Sequence, residues 1–273
     1  MVDSTGSIAH FDKASSPESQ KLLNTSSEPP TTIPDGTFIM PAFCDLHLHA
    51  PQFLYQGTGL HLPLMQWLDE YAFKAEERLD GDPSLARKVY TRLADRLIQN
   101  GTGTVLLFGT IKEETKYVHL ASYTLSTPAA VLILLLSLCS LILAEVMQDA
   151  GIRAFIGKLS MDISSRPTYN EQSAERALAS ARSFVHSCRQ VCSRLPPHQR
   201  LVEPVLTPRF VPTCSDDLLN GLGKLSDSMS LKIQSHLAEA HDQVEWVRKE
   251  RGVEDMAIFD RVGHPFTYFI DTT

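Results

Sequence analysis

The chain has 273 residues, enough for one large domain or two smaller ones, and 43% of them are apolar, an ordinary share for a globular protein with a sizeable core. Its formal charge of -7, from 25 basic and 32 acidic residues, argues against a nucleic-acid partner, since a general binder usually carries a basic patch. Five cysteines, odd in number and irregularly spaced, give no disulfide framework and point to a reducing, cytoplasmic setting; the N-terminus has no basic stretch followed by an apolar one, so no secretory signal is read there.

Residues 1–37 are rich in Ser, Pro and Thr and read as a loose arm or as the remnant of a small β-module. From Phe38 the texture changes, and strand-like runs alternate with helical ones. The strands are expected at 42–49, 103–109, 153–161, 201–207 and 230–236. Between them, Leu64, Trp67, Leu68 and Tyr71 recur at helical intervals, as do Leu85, Val89, Leu93 and Leu97, and then Ala177, Ser180 and Phe184. Asp82-Pro83 opens the second of these helices as cap and first-turn proline, and Asn100-Gly101 closes it. Strands alternating with helices indicate α/β architecture, a parallel sheet covered by helices. A succession of this kind commonly closes into an eight-stranded barrel with its functional groups at the C-terminal ends of the strands.

One segment departs from the pattern. From Leu120 to Ala144 there is no charged residue. Within it, 129–144 is almost wholly apolar, somewhat short for a bilayer span, which takes about 20 residues, and a marginal candidate with 123–128 added; as a helix it has no polar face. Membrane contact through 120–144 is therefore an open alternative to burial.

The chemistry concentrates at three places. In Asp45-Leu46-His47-Leu48-His49, side chains two apart on a strand share a face, so both imidazoles project the same way, a good start for a metal site and for zinc above all. In Gln234-Ser235-His236-Leu237-Ala238-Glu239, a third imidazole ends the fifth expected strand and Glu239 follows at the start of a helix. His236 can complete a three-histidine set, with Glu239 moving protons; the alternative makes Glu239 a first-turn acid favoured by the helix dipole. In Thr207-Pro208-Arg209-Phe210, a guanidinium beside an aromatic ring suits a planar, carbonyl-bearing heterocycle, or else is a surface Arg beside a core Phe. Lys158, within the third strand, invites a two-metal reading with a modified lysine, or a structural ion pair.

These stretches, with Ala50-Pro51-Gln52, the Leu62–Leu68 helix start and Ala154–Asp162, resemble the guanine deaminase family of amidohydrolases over most of residues 38–262. The resemblance implies an incomplete TIM-type barrel, with about five of the usual eight strands present. It also implies one zinc ion on His47, His49 and His236, with Glu239 as proton shuttle and Gln52, Arg209 and Phe210 holding the ring. The reaction would be hydrolysis of guanine to xanthine and ammonia, by a protein that pairs as a homodimer. Against the family pattern, residues 116–142 look inserted and 263–273 form an atypical tail. The family's later strands, with a further histidine and a metal-binding aspartate, find no match. Little or no turnover is therefore expected of the chain as written. Two other readings stand beside the first: a related amidohydrolase acting on another ring, and an inactive isoform that works by binding.

Overall fold

Four parallel strands, β1 (Phe43–His49), β2 (Thr102–Phe108), β3 (Arg153–Ser160) and β4 (Val202–Pro208), lie side by side in chain order. Each starts and ends within one residue of its expected span. The computed structural model describes the whole chain except Ser4, Glu28, 113–138 and 263–273. The N-terminal residues carry one helix, α1 (Pro17–Thr25), and a single antiparallel bridge between Val2 and Ile8.

The connections between strands are helical. After β1 come a 3-10 turn (Ala50–Leu54), α2 (Leu64–Trp67), a π turn (Leu68–Ala72), α3 (Phe73–Gly81) and α4 (Pro83–Gln99). Then α5 (Cys139–Asp149) leads into β3, and α6 (Ala174–Val191) into β4. Beyond β4 lie α7 (Asp216–Met229), α8 (His241–Arg251) and α9 (Asp255–Arg261). Asp82 caps α4 as expected, its carboxylate accepting the Leu85 N–H at 3.0 Å. The helical intervals also hold: Val89, Leu93 and Leu97 on α4 are buried with Val105 and Leu107 of β2, Leu143 and Met147 of α5, and Ile156 of β3. Burying this apolar face is what stabilises so charged a helix.

The fifth expected strand does not form. Residues 231–236 run beside β4 but make one bridge, Leu206 to Ile233. The cause lies in β4 itself. Ala154 N–H donates to the Leu201 carbonyl and Arg209 N–H to the Ser160 carbonyl, a register that turns the odd-numbered N–H groups of β4 toward β3. The even-numbered positions face the newcomer, and there Pro204 and Pro208 have no N–H to give. Leu206 alone donates, to the Lys232 carbonyl at 3.0 Å, and Gln234 N–H returns to the Leu206 carbonyl at 2.9 Å.

Side chains compensate. Gln234 Nε2 donates to the Leu107 carbonyl at 3.1 Å and to Thr207 Oγ1 at 2.9 Å, passing over Gly157. A Cβ at Gly157 would sit 1.9 Å from Thr207 Oγ1 and 2.3 Å from Gln234 Nε2. Gly157→Ala is therefore expected to cost about 3 kcal/mol, the upper end of ordinary overpacking, read as a fall in the urea midpoint at unchanged slope.

The apolar run enters the described residues only at its end. Cys139 starts α5, four residues before Leu143, and residues 139–144 are all buried. Polar groups hold this first turn in the core: Cys139 Sγ lies 3.1 Å from Tyr90 Oη, and Ser140 Oγ bonds the Thr110 N–H and carbonyl, each at 3.2 Å. Among the described residues no helix is long and apolar enough to cross a membrane. The rest of the expected insertion, up to residue 138, and the tail 263–273 lie outside the described residues.

Candidate active site

His47 and His49 end β1. The pairing of β1 with β2 is irregular between Asp45 and Leu48, where Asp45 Oδ1 accepts the His47 N–H at 3.1 Å. The two rings still face one space, their centroids 5.4 Å apart. Phe108, the last residue of β2, floors that space. Its ring stacks on His49 at 4.4 Å and 11°, and lies 4.7 Å from His47 and 4.4 Å from His236.

His236 arrives from the segment beside β4. Its backbone N–H and its Nδ1 both meet the Arg209 carbonyl, the ring nitrogen at 2.6 Å. A carbonyl only accepts, so Nδ1 carries the proton and Nε2 keeps its lone pair. That Nε2 lies 2.7 Å from His49 Nε2. Two imidazole nitrogens so close must share either a proton or a cation. One ligand nitrogen from each of His47, His49 and His236 lies within 4.8 Å of the others, the single group among the described residues able to hold a metal ion. Buried His49 Nδ1 has no hydrogen-bond partner, so the orienting contact that fixes His236 is missing there.

Burial, then the neighbouring His47 and Arg209 charges, holds His236 at about 3, although its bond to the Arg209 carbonyl pulls the other way. His49 is likewise pushed well below 6.5, by burial first and then by His236. Both are neutral at pH 7, the form that binds metal. Between pH 6.5 and about 3 the unfolded chain takes up a proton that folded His236 refuses, so stability falls as pH drops through this window. Acid unfolding of the metal-free chain, followed by circular dichroism, is expected to begin below pH 6.5, and His236→Phe to lower its midpoint.

Beside the histidines lies a small cleft. His49, His236, Gln52, Arg209, Phe210 and Glu239 line it, closed by Leu64, Trp67 and Leu68. The seven residues expected to hold the metal and the ring thus belong to one locality: His47 in the histidine cluster, the other six around the cleft. The cleft holds about 20 Å³, room for water. Phe210 is only 2% exposed and packs into a core cluster with Phe73, Phe108 and Tyr169.

Glu239 is exposed and precedes α8 rather than standing in its first turn. The preceding residue, Ala238, has φ of 50°, a left-handed conformation that a non-glycine residue adopts at a cost. Glu239 N–H donates to buried Gln243 Oε1 at 3.1 Å, and Gln243 Nε2 donates to Asp255 Oδ1 at 3.0 Å. Asp242 Oδ2 accepts the Met65 N–H at 2.9 Å, tying this loop to the opposite wall.

Sequence reasoning passed over Glu76. Its Oε2 accepts from Arg209 Nη1 at 2.7 Å and from Tyr169 Oη at 2.8 Å. The readable signal was an acid on the apolar stripe of α3, between Phe73 and Leu79. Lys158 takes the structural alternative: its Nζ bonds Glu171 Oε1 at 2.6 Å and the Leu159 carbonyl at 2.9 Å.

Curated relatives include guanine deaminase of Dictyostelium discoideum, 36% identical over 77% of this chain and 40% of that protein. Guanine deaminase of Homo sapiens is 33% identical over 90% of this chain and 48% of its own length. The chain therefore spans about half the length, or less, of the curated relatives it matches. A solved guanine deaminase from C. acetobutylicum, with guanine bound in its active site, superposes with a TM-score of 0.64 at 29% identity, covering 85% of this chain and 51% of that one. A triazine hydrolase matches at TM-score 0.62 and 14% identity, which shows the fold alone. The model of the amidohydrolase family matches residues 38–268, strands, histidine cluster and cleft included, and the chain belongs to that family.

Proposed function

We propose that this site carries out zinc-dependent hydrolytic deamination of guanine to xanthine and ammonia, as in guanine breakdown. The observation that carries the reading is the meeting of three imidazoles with Gln52, Arg209, Phe210 and Glu239 around one locality. Relatives named guanine deaminase, from slime mould to human, support it.

His47, His49 and His236 are the ligand set for one zinc ion, a nitrogen-rich donor group that suits this metal. When bound, zinc supplies an activated water at neutral pH. Arg209 donates to the ring oxygen, Gln52 pairs with the ring edge, and Phe210 packs against the ring face. Glu239, exposed at the rim, takes a proton from the water and delivers it to the departing amino group. Five free cysteines suit the reducing, cytoplasmic setting.

Among the described residues the β1 edge is unpaired and the β4 edge is covered by one bridge, which favours a second reading: the chain binds zinc and guanine but turns guanine over slowly. Metal analysis and a guanine titration followed by Trp67 fluorescence test both. One equivalent of zinc and saturable quenching that needs the metal are expected. Absence of either defeats the reading.

A further inference from the structure

Arg209 is almost fully buried, 2% exposed, and its partner Glu76 is 0% exposed. A guanidinium at a cleft wall would by itself make the cleft an anion site. Here the charge is cancelled within the fold. Glu76 Oε2 lies 2.7 Å from Arg209 Nη1 and also accepts from Tyr169 Oη, whose phenol burial keeps protonated. Tyr169 Oη in turn accepts the Ile111 N–H at 3.2 Å, and the Phe73 ring lies 4.8 Å from the guanidinium carbon. Helix α3, the start of the chain beyond β2, the loop before α6 and the end of β4 thus converge on one carboxylate. Its other oxygen, Oε1, is buried with no hydrogen-bond partner. Such an arrangement holds a positive donor in one direction while leaving no net charge behind the wall.

We propose that Glu76 is the positioning residue for Arg209 and sets the charge preference of the cleft, which favours a neutral carbonyl-bearing ring over an anionic one. The inference rests on the guanine reading and extends it to the choice among oxidised rings. The paired guanidinium still donates hydrogen bonds to a neutral oxygen. An anionic ring gains no net charge from the pair and meets the Glu76 and Glu239 carboxylates. Relieved of Glu76's charge, Arg209 becomes an unneutralised cation and the preference shifts toward anions.

The test compares guanine, neutral at pH 7, with urate, a monoanion there, in titrations of the zinc-loaded chain. Glu76→Gln keeps the size and a hydrogen-bonding oxygen but removes the charge. It is expected to weaken guanine and strengthen urate, moving the ratio of their affinities by at least about tenfold, one charge-assisted hydrogen bond's worth. Equal changes for both rings, as from a merely structural residue, overturn the proposal. Tyr169→Phe keeps the charge and loosens its holder. It is expected to weaken guanine by about three- to tenfold while leaving the ratio within about twofold. Unchanged guanine affinity in Tyr169→Phe counts against the positioning role. If Glu76→Gln does not fold, the parent chain decides the charge preference: guanine is expected to bind at least about tenfold tighter than urate, and equal affinities overturn the proposal. A wild-type chain that binds neither ring removes the guanine reading and this inference together. One that binds guanine with a ratio indifferent to Glu76 removes the inference alone.

Discussion

Replacing His236 with alanine is expected to abolish stoichiometric zinc binding and, with it, all metal-dependent turnover. The orientation of His236 is fixed by the Arg209 carbonyl, 2.6 Å from Nδ1. Losing merely an outer contact of this kind costs about 10–100-fold in metal affinity, so losing the ring itself must exceed that range. The variant also removes the group that burial holds at about 3, and with it part of the acid sensitivity. Zinc retained at one equivalent in His236→Ala would exclude this residue as a ligand. His47→Ala and His49→Ala are expected to match it, since each places a nitrogen in the same cluster.

Glu239→Gln is expected to lower deamination by about 10²–10⁴-fold, the usual worth of a positioned acid–base group, while zinc content and guanine affinity stay as they were. The amide keeps the shape and loses the proton carrier. The side chain is exposed and precedes the helix, so its charge contributes little to folding and the variant should unfold at the parent temperature. The backbone supports that separation: Gln243 and Asp255 hold the loop through the Glu239 N–H, which glutamine keeps. Undiminished product release would show that the proton moves by another route. Loss of zinc instead of rate would make Glu239 a ligand.

What was legible in the sequence was what alternation and spacing encode. Four strands fell within a residue of their expected bounds because their apolar runs sit between capped helices, as with Asp82 and Asn100-Gly101 around α4. The histidine pair was legible because strand geometry sends residues two apart to one face, and this survived the irregular pairing at Asp45–Leu48. The fifth strand was not legible. Pro204 and Pro208 stand openly in the sequence, but only the register with β3 shows that their missing N–H groups fall on the side where a ladder was needed. The support of the site was hidden for a similar reason. Glu76 and Tyr169 lie 133 and 40 positions from Arg209 along the chain, and nothing local pairs them. Phe108, read as an ordinary strand residue, is placed beneath all three imidazoles by the order of the sheet.

The central claim is that the histidine cluster and the adjoining cleft form a metal-dependent guanine site. Release of ammonia and xanthine from guanine by the zinc-loaded chain, beside the metal-stripped chain and His236→Ala, tests it most directly. Slow product formation that appears only with zinc and His236 together is the result expected. Product formed equally with and without zinc, or as fast by His236→Ala as by the parent chain, would contradict it.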